Sequence, residues 1–301
     1  MLKAEHLTKH FGSVCAVDDV SFDLEAGKIL GLIGRNGSGK TTIFRLLLGF
    51  LTSEGQSSVL WKGQPLKGQV YNVIGYLPEE RGLYEKMTIA DQITYFAELR
   101  GLSQKEIETR LPIWLDRFEV KGKPDDKISK LSKGNQQKVQ VIGTIIHEPE
   151  FVILDEPFSG LDPVNADLLR QGILHLRNQG SSIIFSSHNM ANVEAICDDL
   201  LMIHDGEALL QGGVQEVRNR YPKTTLWLEK PGLKRDELAA LEGVTTVEET
   251  TPGRFQLKLA NEEVGHDIFD WVTRDGYIQL FSQQPPTLES IFKEEVRKVH
   301  E

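Results

Sequence analysis

The sequence predicts an α/β fold followed by a smaller α+β unit, on three observations. The apolar run Ile29-Leu30-Gly31-Leu32-Ile33 passes through a glycine-rich stretch into Ile43-Phe44-Arg45-Leu46-Leu47-Leu48, which is apolar at helical spacing. Two more runs, Phe151-Val152-Ile153-Leu154 and Ser182-Ile183-Ile184-Phe185, are apolar without alternation, as strands buried on both faces of a parallel sheet are. Beyond residue 220 the pattern changes to alternation at Leu226, Leu228, Val244, Phe255, Leu257 and Leu259, with helical spacing over 236–241, 264–273 and 288–299.

Taken in order, 2–8 and 20–24 read as strands on either side of Phe11-Gly12-Ser13, and Ala26-Gly27 turns into the first buried strand. Short β-rich runs over 59–77 are broken by Gly63, Pro65 and Gly68, and the charged turn Pro78-Glu79-Glu80-Arg81-Gly82-Leu83-Tyr84 follows. A helical insertion spans about 86–130, with Ile89, Ile93, Phe96 and Leu99 on one face and Gly101 ending the run. Ser132 is an N-cap candidate for the next helix, which carries Val139, Ile142 and Ile146. A turn at Ser159-Gly160-Leu161-Asp162-Pro163 opens another helix, a further helix covers 192–198, and Asp205-Gly206 is a hairpin turn. The stretch 218–223 reads as a boundary, giving domains of 1–219 and 220–301.

Bulk properties narrow the function classes. A length of 301 residues suits about two domains. A net charge of −10 disfavours an electrostatic nucleic-acid partner or a polybasic membrane anchor. No run approaches the ~18 apolar residues that span a bilayer, and the N-terminus lacks a signal-like apolar region, so any pore is expected on another polypeptide. Cys15 and Cys197 are far apart without metal-like spacing, and read as buried filler rather than a disulfide or zinc site.

The chemistry concentrates at strand ends. Gly34, Gly39, Lys40 and Thr41 satisfy G-x-x-x-x-G-K-[ST], with a strand before and a helix after. In such a loop the amides over Asn36, Gly37, Ser38, Gly39, Lys40, Thr41 and Thr42 converge on an anion, and glycine permits the close approach. Lys40 then reaches phosphate oxygens and Thr41 a Mg²⁺ ion; the bland alternative is a glycine turn with an incidental lysine. The buried strand 151–154 delivers Asp155 and Glu156 at its carboxyl end, where ligands of parallel sheets sit. Asp155 suits Mg²⁺, directly or through water, and Glu156 suits polarising an attacking water. His188 emerges on the same rim from the strand 182–187; a lone histidine is more often structural, but here the topology favours a phosphate-sensing role. Phe11 is either core or a face for an adenine ring.

In this order, the motifs resemble those of ATP-binding subunits of ABC transporters, over about residues 1–220. The matching parts are an aromatic position (Phe11), the Walker A loop (34–42), a Q-loop region (77–82), a signature segment (131–137), Walker B (151–155) with Glu156 next, a D-loop (159–162) and a switch histidine (His188). The signature reads Leu-Ser-Lys-Gly-Asn-Gln-Gln where Leu-Ser-Gly-Gly-Gln is usual, and Glu79 stands at the usual glutamine. The resemblance implies an α/β P-loop NTPase of ABC type, with a mixed sheet core, an antiparallel β subdomain and a helical insertion, plus the small C-terminal α+β domain. It implies an ATPase using ATP and Mg²⁺, with Glu156, His188 and Lys40 catalytic and Thr41, Asp155 and Glu79 on the metal. Phe11, Val17, Ser132, Gly134 and Asp162 join the loop residues around nucleotide. It further implies head-to-tail dimerisation, as a homodimer or with a paralogue, so that Ser132 and Gly134 of one chain complete the site of the other. Separately encoded transmembrane permease subunits would dock near 79–84, placing the chain peripherally at the cytoplasmic face of the membrane. Among such subunits, 77–84 and the tail resemble the bacterial exporter group that includes sodium-extrusion and drug or peptide export. The rival readings are a non-transport ABC ATPase acting as a switch on ribosomes or DNA, and an ATP-binding regulator with weak turnover whose tail stabilises a dimer.

Overall fold

The computed structural model describes residues 1–66, 72–80, 82–274 and 276–300. Gly68 and Arg81, both named above, lie outside them. The chain divides into two compact units, Met1–Gly212 and Gly213–Glu301.

In the first unit, β1 (Leu2–Phe11) and β2 (Val14–Leu24) form an antiparallel hairpin whose turn uses Gly12 at φ 62. After β3 (Ile29–Ile33) and α1 (Lys40–Leu47), β4 (Ser58–Trp61) and the short β5 (Gln64–Pro65) add to β1. The result is a four-stranded sheet of order β2-β1-β4-β5. The second sheet begins with β3 and continues with β6 (Ile74–Leu77), β7 (Phe151–Leu154), β8 (Ser182–Ser187), β9 (Asp199–His204) and β10 (Glu207–Gly213). Its order is β10-β9-β3-β8-β7-β6, and every pairing from β9 across to β6 is parallel. All residues of β3, β7 and β8 are buried, as their unbroken apolar runs require. One core joins the two sheets around α1: Leu2, Phe22 and Trp61 meet Leu30, Phe151, Ile184, Ile43 and Phe44. Trp61 stacks on Phe151 with ring centroids 5.0 Å apart. This burial anchors the helix whose first turn carries the glycine loop.

The insertion contains α2 (Ile89–Leu99), capped by Thr88, and α3 (Gln104–Arg117), opened by a capping box of Ser103 and Glu106. Its two ends are tied by a bridge between Thr88 and Lys127 and by the Ile89 amide donating to Asp126 O at 3.0 Å. The insertion therefore closes on itself. Leu99, at helical spacing with the buried Ile89 and Ile93, is exposed. Next comes α4 (Lys133–Ile145), capped by Ser132. Gly143 of α4 leaves room for α2: a Cβ there would lie 3.1 Å from the Phe96 ring. After β7, α5 (Pro163–Asn178) starts from Asp162 with Pro163 in its first turn. The short α6 (Met190–Ile196) begins before the stretch 192–198 expected from sequence.

His147, just beyond α4, is held at Ile74 O with Nε2 at 3.3 Å, while its buried Nδ1 has no partner. Burial, with Arg100 and Arg110 adding, pushes its pKa down to about 4. A depressed histidine leaves stability intact above the unfolded pKa near 6.5. As pH falls below that value, the unfolded chain takes up a proton that the folded one refuses until about pH 4, so stability is lost across this window. At 1.36 kcal/mol per pKa unit, about 2 kcal/mol is lost between pH 6.5 and 5. His147→Leu is expected to flatten this dependence in denaturant titrations at the two pH values. Equal slopes for both proteins would refute it.

In the second unit, α7 (Val214–Asn219) leads into a sheet of order β12-β13-β11-β14 made of β11 (Thr225–Glu229), β12 (Val244–Thr251), β13 (Arg254–Leu259) and β14 (Leu280–Gln284). All its pairings are antiparallel. With α8 (Arg235–Ala239), α9 (Val264–Thr273) and α10 (Leu288–His300), it encloses its own core of Leu226, Leu228, Leu238, Phe255, Leu257 and Ile268. β14 was not expected from sequence; its run Leu280-Phe281-Ser282-Gln283-Gln284 lacks alternation and precedes Pro285-Pro286. Pairing with β11 decides it. Among the described residues, no helix is long and apolar enough to cross a membrane.

Candidate functional site

The glycine loop forms because its backbone has no room for other residues. A Cβ at Gly34 would lie 2.3 Å from Ser38 Oγ and 2.5 Å from Ile203 O, and one at Gly39, at φ 108, would lie 2.3 Å from Ala16 O. Gly37 also adopts positive φ, at 82. α1 then starts without a side-chain cap, so its first amides have no intrahelical or side-chain acceptor and can meet an anion. Lys40 is buried; its Nζ donates to Gly34 O at 2.8 Å and Arg35 O at 3.1 Å and lies 3.7 Å from Glu156 Oε1.

Strand register brings the acidic residues to this loop. Leu154 of β7 sits opposite Phe185 of β8 and Leu77 of β6, so the residues that follow each strand share one rim. Ser186 Oγ donates to Asp155 Oδ1 at 2.6 Å and accepts from the Glu156 amide at 2.8 Å. Thr41 Oγ1 donates to Asp155 Oδ2 at 2.8 Å. Glu156 holds a left-handed φ of 48, and its Oε2 accepts from His188 Nδ1 at 2.9 Å. The Glu156 side chain is 6% exposed and that of His188 56%.

A cleft of about 290 Å³ lies over these groups, lined by Ala16, Asn36, Gly37, Gly39, Lys40, Thr41, Thr42, Glu79, Asp155 and Glu156. The remaining candidates lie elsewhere. Gly34 and the buried Ser38 shape the loop from behind. His188 joins through Glu156. Phe11 stands half exposed near the hairpin tip, with Lys9 Nζ 5.8 Å from its ring centroid. Ser132 and Gly134 open α4, and Asp162 caps α5. Asn165 links these two helix starts: its amide group donates to Asp162 and would meet a Cβ on Gly134 at 3.0 Å. The backbone N–H of Asn165, donating to Asp162 Oδ1 at 3.0 Å, is the main cause holding the Asp162 carboxyl below the usual range. Val17 is fully buried in the core, with Cγ2 3.5 Å from where a Cβ on Gly39 would lie, while its neighbour Ala16 lines the cleft.

Ser186 was not singled out from the sequence, although a serine ending a buried apolar strand was the available signal. The glutamines of α4 were also missed. Gln137 Nε2 donates to Pro157 O and Gln140 Nε2 to Glu80 O, each at 3.3 Å.

The donor set fits a polyanion accompanied by a divalent cation. One ammonium faces three carboxylates in the cleft lining, so a bare phosphate chain would meet net repulsion there unless a cation entered with it. The Thr41 and Asp155 oxygens lie 2.8 Å apart, close to the roughly 2.9 Å between adjacent ligands of an octahedral Mg²⁺ at 2.0–2.1 Å.

The chain is also similar to known proteins. The family model for the ABC transporter matches residues 17–159, and that for the C-terminal domain of ATP-binding protein DrrA1-3-like matches 212–296. The ABC transporter ATP-binding protein YhaQ of Bacillus subtilis is 43% identical over 304 residues, covering 100% of both chains. More distantly, the lipopolysaccharide export system ATP-binding protein LptB of Escherichia coli is 28% identical over 221 residues, 72% of this chain and 92% of LptB. A solved ATP-binding subunit of an ABC transporter is similar with a TM-score of 0.68 at 30% identity, over 73% of this chain and 92% of that one. With the glycine loop, the acidic strand end and a relative, YhaQ, matching along its whole length, the chain belongs to the ATP-binding subunits of ABC transporters.

Proposed function

We propose that this subunit is a Mg²⁺-dependent ATPase that powers an exporter whose transmembrane subunits are separate polypeptides, sited peripherally at the cytoplasmic face of the membrane. The observation that carries the chemistry is the linked set Lys40–Glu156–His188 beside Thr41–Asp155 in one cleft. In this reading the loop amides and Lys40 hold the phosphates. Glu156, fixed by the hydrogen bond from its backbone amide to Ser186 Oγ and by His188, accepts a proton from the attacking water. Thr41, Asp155 and Glu79 hold Mg²⁺, which supplies charge neutralisation at the phosphates when bound. In the same reading His188, largely exposed, contacts the γ-phosphate while its Nδ1 bond orients Glu156.

A second copy, or a paralogue, completes the site head to tail. Ser132 and Gly134 lie outside the cleft lining at the start of α4, where Ser132 is exposed, and in this reading they meet another chain's nucleotide. The export direction draws support from the name of LptB; sodium or drug cargo is the finer reading that the sequence resemblance suggests. The full chain, isolated from detergent-solubilised membranes of its own cells, is expected to bring down a polytopic protein without a phosphate loop and to hydrolyse ATP faster in its presence. Recovery only as a soluble protein, with turnover indifferent to membrane partners, would overturn this reading in favour of a non-transport switch.

A further inference from the structure

We propose that Gln137 and Gln140 are positioning residues that set the two cleft carboxylates from behind, through one face of α4. The inference rests on the roles proposed for Glu156 in hydrolysis and Glu79 at Mg²⁺. The two glutamines are three residues apart, which places them on the same helix face. Both are buried, at 7% and 6% exposure. Gln137 Nε2 donates to the carbonyl of Pro157, the residue after Glu156, and Gln140 Nε2 donates to the carbonyl of Glu80, the residue after Glu79. A single helix thus grips the backbone immediately beyond each carboxylate.

Two features separate this from ordinary packing. Glu156 holds a left-handed φ of 48, a conformation that a glutamate keeps only when its surroundings over-determine it. Ser186 fixes its amide side and the Gln137 bond holds the carbonyl of the next residue, Pro157. Gln140 Oε1 is buried without a partner. An apolar residue of similar size would avoid that unpaired oxygen, so the glutamine is retained at a cost and its one made bond is the Glu80 carbonyl. β6 and β7 are adjacent and parallel, with the Asp155 amide donating to Leu77 O at 2.8 Å. The two gripped turns therefore leave neighbouring strand ends, within reach of one helix.

Displacing a reacting group by about 1 Å can cost on the order of 100-fold in rate, while ground-state binding that does not use that group is kept. Gln137→Met is therefore expected to lower kcat about 10-fold or more with KM for ATP within about 2-fold. Gln140→Met is expected to raise the Mg²⁺ concentration for half-maximal turnover several-fold, with a smaller change in kcat. Because a loss of folded protein would itself lower apparent kcat at unchanged KM, kcat is expressed per nucleotide-binding site counted by titration, and the Mg²⁺ midpoint does not depend on the folded fraction. Each variant is assayed below its own unfolding midpoint, and Leu variants at both positions replace any Met variant that does not fold. Glu156→Gln and Glu79→Ala are assayed alongside. Wild-type kcat in the Gln137 variants while Glu156→Gln is inactive would overturn the clamp on Glu156 and leave the role of Glu156 standing. An unchanged Mg²⁺ midpoint in the Gln140 variants while Glu79→Ala shifts it would do the same for Glu79. Wild-type behaviour of Glu156→Gln or Glu79→Ala itself would overturn the corresponding role together with its clamp.

Discussion

Glu156→Gln is expected to lower kcat for ATP hydrolysis by about 100-fold or more, since a positioned general base contributes on the order of 10²–10⁴. The amide keeps the shape of the carboxylate and can still accept from His188, so the strained turn survives while the base is lost. Nucleotide binding should not suffer. Glu156 is one of three carboxylates lining a cleft with one lysine, and removing a negative charge lessens repulsion toward an incoming polyphosphate. The expected signature is a slow variant that binds ATP at least as tightly as wild type, read by single-turnover hydrolysis and equilibrium titration. Turnover near the wild-type rate would remove Glu156 from the chemistry.

Lys40→Ala acts on the opposite side of the ledger and is expected to weaken Mg·ATP binding about 10- to 100-fold, the range for losing a hydrogen bond to a charged group. Without nucleotide, Lys40 satisfies the carbonyls of Gly34 and Arg35 and stands 3.7 Å from the buried Glu156. Its removal takes that donor from two loop carbonyls and leaves the buried Glu156 carboxylate with His188 alone beside it. The unfolding midpoint should therefore fall as well, and the difference between the two proteins should widen when ATP is added, because the ligand stabilises only the form that binds it. A dissociation constant unchanged from wild type would contradict the assignment of the loop as the phosphate site.

The contrast between these variants reflects the electrostatics of the cleft. Glu156 and Lys40 are both nearly excluded from water, so each charge depends on the other and on local dipoles. Loss of the carboxylate leaves a lysine still bonded to two carbonyls, whereas loss of the lysine leaves a carboxylate whose Oε1 has no hydrogen-bond partner.

Contiguous features were legible in the sequence. The strand–loop–helix around 29–48 reads directly, because positive φ at Gly37 and Gly39 and the missing space at Gly34 demand glycine at those positions. The unbroken apolar strands β7 and β8 declared burial on both faces, and hence the parallel sheet that carries Asp155, Glu156 and His188 to one rim. The cap at Ser132 likewise follows from local side-chain chemistry. Tertiary structure alone decided which polar groups meet across the fold. Thr41 and Asp155 are 114 residues apart, Asp155 and Ser186 31, and Gln140 and Glu80 60; their pairing depends on strand register and on where α4 lies. It also decided that Val17 turns into the core and Ala16 toward the cleft, since adjacent residues of a strand face opposite sides. The physical reason is range: backbone conformation and burial are dictated by neighbours along the chain, while the hydrogen bonds that aim a side chain are set by partners that only folding brings near.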